Sequence, residues 1–148
     1  LKFIETKNAT TKANLTTDST TVGNYRNSEF TLNRGKFAQY DALSNWFDYN
    51  SEEKPTLVTG SQKKEQSSYE NGILLTTGAT DATNLQNIYD VAGNIWEWTL
   101  EFHDASSPCV RRGGSYNGNG SNDPAESRLG DSTCNSNDLS GFRVGLWK

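Results

Sequence analysis

The chain has 148 residues, enough for one hydrophobic core and too few for two comfortable ones. Only 32% of it is hydrophobic, and two residues in five are Ser, Thr, Asn or Gly, so short apolar elements joined by many turns are expected rather than a helical bundle. Its 14 basic and 18 acidic residues give a net charge of −4 with no long run of either sign, which excludes the basic footprint of a duplex nucleic-acid binder and a polybasic membrane patch.

Apolar runs such as Ile73-Leu74-Leu75 fall far short of the roughly 20 residues that cross a bilayer, so no membrane insertion is expected. A start at Leu1, with no apolar stretch behind a basic one, reads as a processed or excised piece whose native address is open. Cys109 and Cys134 allow one disulfide or none and lack the paired spacing of a zinc knuckle.

In chain order, residues 1–22 read as a polar lead-in with at most one strand at Lys2-Phe3-Ile4, and residues 23–148 as the domain proper. From Lys36 to Phe47 the apolar residues Phe37, Tyr40, Leu43 and Phe47 recur at three- and four-residue steps, which predicts an amphipathic helix flanking a core. Residues 48–69 are polar, with Pro55 and Gly60, and read as an irregular connection with a short extended piece at Leu57-Val58. A turn at Gly93-Asn94 then opens an alternating strand. Trp96, Trp98 and Leu100 are expected on its core face, and Ile95, Glu97 and Thr99 on the other. A second strand follows over residues 110–116, and the chain closes on an alternating strand with Phe142, Val144 and Leu146 facing inward.

Residues 116–140 have no apolar period, no convincing strand and only Leu129 and Leu139 as large aliphatics. Unstructured connections beyond about 12–15 residues within a compact domain are uncommon, and are functional or disordered. His103 is the only histidine, which leaves no material for a catalytic triad or a histidine-rich metal site; a surface loop is expected there. Arg112 and Arg143 carry several donors each and are expected to tie loop carbonyls or a carboxylate.

Gly93-Asn94-Ile95-Trp96-Glu97-Trp98, Arg112-Gly113-Gly114-Ser115-Tyr116 and Gly141-Phe142-Arg143-Val144, in that order and spacing, resemble the formylglycine-generating enzyme (sulfatase-modifying factor) family. The resemblance covers roughly the last three quarters of the chain. It implies an α+β, C-type-lectin-like fold with a small twisted antiparallel sheet, a flanking helix and much irregular loop. Catalytic members carry two redox cysteines shortly after the Gly-Gly-Ser-aromatic motif, and the corresponding positions here are Gly118 and Asp123, which offer no thiolate to hold copper. No enzymatic activity is therefore expected.

The sequence also resembles a non-catalytic branch, the variable proteins of diversity-generating retroelements, in which this scaffold displays a variable C-terminal region. Replacing adenines in asparagine codons cannot yield Lys, Glu, Gln, Met or Trp. From Tyr116 to Ser140 every residue except Glu126 is reachable in that way. Turn chemistry alone also favours Asn, Ser, Gly and Asp in such a stretch.

The expected function is a ligand-binding display module. Its contact residues are Tyr116, Asn117, Gly118, Asn119, Ser121, Asn122, Asp123, Leu129, Gly130, Asp131, Asn135, Asn137, Asp138 and Leu139, facing a protein or glycan surface. A structural domain of a larger surface or virion protein is the alternative, and a formylglycine-generating-type oxidase the less favoured one; a cell-surface, secreted or virion-displayed setting is favoured for the chain. In calcium-binding members the segment around the Gly-Asn turn supplies oxygen ligands, so Asp90 and Glu97 are candidates for a structural calcium ion and no other cofactor is expected.

Overall fold

A computed structural model describes residues 9–39, 45–48, 63–64, 72–85, 87–132 and 138–143. Among these the architecture is mostly strand, with one α-helix, α1 (Ala9–Thr16). The strands are β1 (Phe30–Thr31), β2 (Lys36–Gln39), β3 (Phe47–Asp48), β4 (Lys63–Lys64), β5 (Ile73–Leu75), β6 (Asn84–Leu85), β7 (Ile88–Tyr89), β8 (Trp96–Phe102), β9 (Cys109–Arg112), β10 (Arg128–Asp131) and β11 (Ser140–Gly141). The largest sheet has the order β10-β9-β8-β11, antiparallel except for the parallel β11–β8 pair. A second sheet, β3-β2-β5, is antiparallel throughout, and β1-β4 and β6-β7 are two-stranded. No helix among the described residues is long and apolar enough to cross a membrane.

Two apolar clusters hold these pieces together. Phe30, Leu32, Phe37, Ile73, Leu75 and Ala79 form one, with Phe47 against its edge. Leu15, Tyr25, Ala92 and Ala125 form the other, flanked by Leu85 and Val91. Each large side chain so enclosed contributes about 1.5–3 kcal/mol.

The helix expected over Lys36–Phe47 is not formed where the structure describes it: 36–39 and 47–48 are strands, and 40–44 lie outside the described residues. The apolar spacing serves strand pairing instead. Phe37 stands directly opposite Phe47 across β2–β3 and opposite Leu75 across β2–β5, with the two phenyl rings 5.8 Å apart. Because β2 is central, Phe37 and Ala38 are both fully buried, a pattern that period-2 reasoning assigns to neither an edge strand nor a helix. The helix occurs instead within the segment read as a lead-in, where Leu15 is fully buried in the second cluster.

Two other expectations change. Residues 116–140 contain strand β10, whose Arg128, Leu129, Gly130 and Asp131 pair with Arg112, Arg111, Val110 and Cys109. The tryptophan face of β8 holds only in part: Trp96 is buried and Trp98 half-buried, but an irregularity between Thr99 and Phe102 breaks the alternation and leaves Leu100 wholly exposed. Phe142 points outward, 77% exposed, because β11 ends at Gly141. Val144, Leu146 and the piece at Leu57-Val58 lie outside the described residues.

Candidate functional site

Asn94 fixes the start of β8. Its Oδ1 accepts from the Leu75 amide (3.0 Å) and from Asn24 Nδ2 (2.9 Å), while its Nδ2 donates to the Leu75 carbonyl (2.9 Å). Its backbone amide donates to Asn24 (2.7 Å) and its carbonyl accepts from Tyr116 (2.9 Å), so one buried residue joins β5, the Asn24 segment and the Gly113-Gly114 turn. Asn94 has a left-handed backbone (φ 64°), which asparagine tolerates better than most residues. The neighbouring Gly93 is required by space, since a Cβ there would lie 2.4 Å from the Asn24 carbonyl oxygen.

The turn that follows β9 is anchored by Tyr25. Its hydroxyl lies 2.9 Å from the Gly113 carbonyl and 2.7 Å from that of Asp123, and burial pushes its ionisation upward. Gly114 (φ 74°) permits this approach, because a Cβ there would meet the Asp123 carbonyl oxygen at 2.5 Å.

Beyond Tyr116 the chain is held by its own turns and by the N-terminal segment. The Ser19 amide donates to Gly120 (3.0 Å), the Arg26 amide to Gly118 (2.9 Å) and the Glu126 amide to Leu15 (3.0 Å). Ser19 Oγ accepts from the Ala125 amide (2.9 Å), and Asn27 Oδ1 from the Gly120 amide (3.2 Å). Within the loop, Gly118 donates to Ser115, and Asn122 and Asp123 both donate to the Asn119 carbonyl. Backbone groups do nearly all of this bonding. Side-chain identity at several loop positions is thereby uncoupled from loop shape.

The expected contact residues separate accordingly. Ser121, Asn122, Leu129 and Asp138 are exposed; Asn117, Gly118, Asn119, Asp123, Gly130, Asp131 and Leu139 are half-buried. Tyr116 is fully buried, so its side chain supports the surface from behind and does not face a ligand. Asn135 and Asn137 lie outside the described residues.

Sequence reasoning missed the groups beside them. On the face of the large sheet that carries Trp98 and Leu129, the Arg111 guanidinium is 3.1 Å from Asp131 and 3.2 Å from Ser140 Oγ, and stacks 5.2 Å from the Trp96 ring centroid. Leu100, Phe102 and Leu129 are exposed apolar groups of β8 and β10. The signal available for Arg111 was its place in a strand, two residues beyond Cys109, but register was needed to see which residues it faces.

Gly118 and Asp123 are neighbours. A Cβ at Gly118 would stand 3.2 Å from Asp123 Oδ2, so these two positions are side by side, and neither carries sulfur. Partial burial raises the Asp123 carboxyl above its usual range, with Arg111 acting in the opposite direction. Cys109 is a free thiol on β9, and Cys134 lies outside the described residues. His103 is exposed and bonded to Asp104 at 2.7 Å.

The framework arginines do tie carbonyls and carboxylates. Arg112 grips Glu101 through Nε (2.5 Å) and Nη2 (2.9 Å) and donates to the Glu126 carbonyl (2.8 Å). Arg128 adds a further bond to Glu101, whose carboxyl is held down to about 2, chiefly by Arg112. Arg143 bonds Glu97 and the carbonyls of Tyr89 and Asp90. Asp90 is buried and accepts the Gly78 amide on Oδ2 (3.0 Å). Among the described residues no group of three or more His, Cys, Asp or Glu side chains converges as a metal site.

No curated protein and no solved structure matches the chain. The family model of the sulfatase-modifying factor enzyme 1-like domain matches residues 12–146, a span that takes in α1 from Lys12 onward, both apolar clusters and the turn anchored by Tyr25. The chain belongs to the sulfatase-modifying factor enzyme 1-like domain family.

Proposed function

We propose that this chain is a binding member of its family, with a C-type-lectin-like scaffold that presents residues 117–123 and 129–139 to a protein or glycan surface. The observation that carries this reading is the backbone bonding between residues 118–126 and residues 15–27, which leaves Ser121 and Asn122 exposed on a fixed support. Ser, Asn and Gly supply adaptable hydrogen bonds there, and Leu129 and Phe102 supply contact area. The absence of sulfur at positions 118 and 123 favours binding over the oxidation performed by catalytic relatives.

The stretch is further read as the variable region of a diversity-generating retroelement. The test is genomic: a neighbouring reverse transcriptase, and a near-copy of the codons for residues 112–147 whose mismatches fall at adenines. Mismatches are expected at positions 121, 122 and 129 and are expected to spare Tyr116, Gly120 and Ala125, which are buried. Lack of such a copy removes diversification and leaves a fixed-sequence binder. For the non-catalytic assignment the assay is aerobic incubation with copper and a sulfatase-type cysteine peptide. No aldehyde should form; turnover would overturn the assignment.

A further inference from the structure

The side chain of Arg143 ends where three oxygens from two parts of the chain converge. Its Nε lies 2.7 Å from Glu97 Oε1 and its Nη2 2.5 Å from the same atom. Nη1 donates to the Tyr89 carbonyl and Nη2 to the Asp90 carbonyl, each at 2.7 Å. Arg143, Glu97 and Asp90 line a cleft of about 170 Å³ whose wall also includes Gly93, Ile95 and Phe142. Two consecutive carbonyls meet one guanidinium because Asp90 adopts a left-handed backbone (φ 54°). That conformation is uncommon away from glycine and has to be maintained by its surroundings.

We propose that this is a cation cage which the chain fills with its own guanidinium, so that the domain is closed to divalent metal and loss of Arg143 opens a site for an oxygen-seeking ion of the calcium type. Calcium takes six to eight oxygens at about 2.3–2.6 Å. The Glu97 carboxylate and the carbonyls of Tyr89 and Asp90 are hard oxygen donors of the right kind, and solvent in the cleft would complete the shell. With Arg143 in place the fit fails: its nitrogens already bond all three of these oxygens, and a dication would approach a fixed positive charge. The Asp90 carboxylate offers little help, since its Oδ2 is engaged by the Gly78 amide. The calcium ion implied for Asp90 and Glu97 by resemblance is thus replaced by an arginine that performs the ion's structural work.

The experiment compares the intact domain with Arg143→Ala by thermal melting in EDTA and in millimolar calcium, and by terbium luminescence sensitised through the tryptophans. The unaltered domain should melt at the same temperature in both buffers and give no saturable terbium signal. Arg143→Ala should melt lower in EDTA, recover part of the loss in calcium, and bind terbium in a calcium-competable way that is abolished by adding Glu97→Gln. Saturable calcium stabilisation of the unaltered domain would overturn the proposal. So would an Arg143→Ala protein that folds yet takes up neither ion. If that variant fails to fold, Arg143→Gln carries the same expectations, and the arm on the unaltered domain stands without any variant.

Discussion

The hydroxyl of Tyr25 lies 2.7 Å from the carbonyl oxygen of Asp123, 98 residues later in the chain, and 2.9 Å from that of Gly113. One phenol therefore spans both ends of the turn that launches the candidate binding loop. Tyr25→Phe keeps the ring in its apolar cluster and removes the hydroxyl from the Asp123 carbonyl, while the Gly113 carbonyl keeps the Gly93 amide as its donor (2.6 Å). A loss of about 1–3 kcal/mol is expected in denaturant unfolding, with an unchanged m-value.

The Asn94 side chain makes three buried hydrogen bonds, and no replacement reproduces both its amide pairing with Leu75 and its left-handed backbone. Asn94→Ala should cost at least about 3 kcal/mol, as expected where a buried network is broken at a special backbone position. The melting temperature is the readout. A loss under about 0.5 kcal/mol, typical of ordinary surface sites, would show the network to be dispensable.

Lys64 is buried, with Nζ bonded to the carbonyls of Tyr25 and Ser28 and 5.1 Å from the Phe30 ring centroid. Burial pushes its ammonium down to about 7 from the usual 10.5, and a neutral amine still has two N–H groups for two carbonyls. The unfolded chain then binds the extra proton between pH 7 and 10.5, so stability should rise across that window. Upward displacement of the Tyr25 hydroxyl acts oppositely above pH 10. Urea melts of the unaltered domain and of Lys64→Met from pH 7 to 10 should show the rise only in the former.

Glu101 behaves in the opposite sense. Its carboxyl is depressed to about 2 from 4.5 by Arg112 first and Arg128 second, so its contribution is complete above pH 4.5 and fades as pH falls towards 2. The carboxylate is two-fifths exposed, which makes the effect small and salt-sensitive. Glu101→Gln should flatten part of the acid side of the stability curve at low ionic strength and change little at high salt.

Some of this molecule was legible as sequence. The Gly93-Asn94 turn, the β8 strand, the tying roles of Arg112 and Arg143 and the family itself follow from local motifs, because turn glycines and multivalent guanidiniums act within short stretches. The central strand β2 was not legible, since Phe37 finds its partners at Phe47 and Leu75 and a three-to-four spacing is what pairing and a helix both produce here. Nor was the role of residues 15–27. Polar side chains such as Ser19 and Asn27 look like surface until the loop 100 residues away supplies their partners. The metal-like role of Arg143 was equally hidden, because two of its acceptors are carbonyls that no sequence pattern marks.

If backbone contacts set the loop's shape, its exposed side chains are free to vary. This is tested most directly by replacing Ser121, Asn122, Leu129 and Asp138 together with Tyr or Ala and comparing thermal unfolding with that of Trp96→Ala. The quadruple variant should melt close to the unaltered domain, each change costing no more than about 0.5 kcal/mol. Trp96→Ala should lose about 3–5 kcal/mol by opening a cavity beneath Arg111. A quadruple variant that unfolds as readily as Trp96→Ala would mean that the loop is packed structure, and the binding assignment would fall with it.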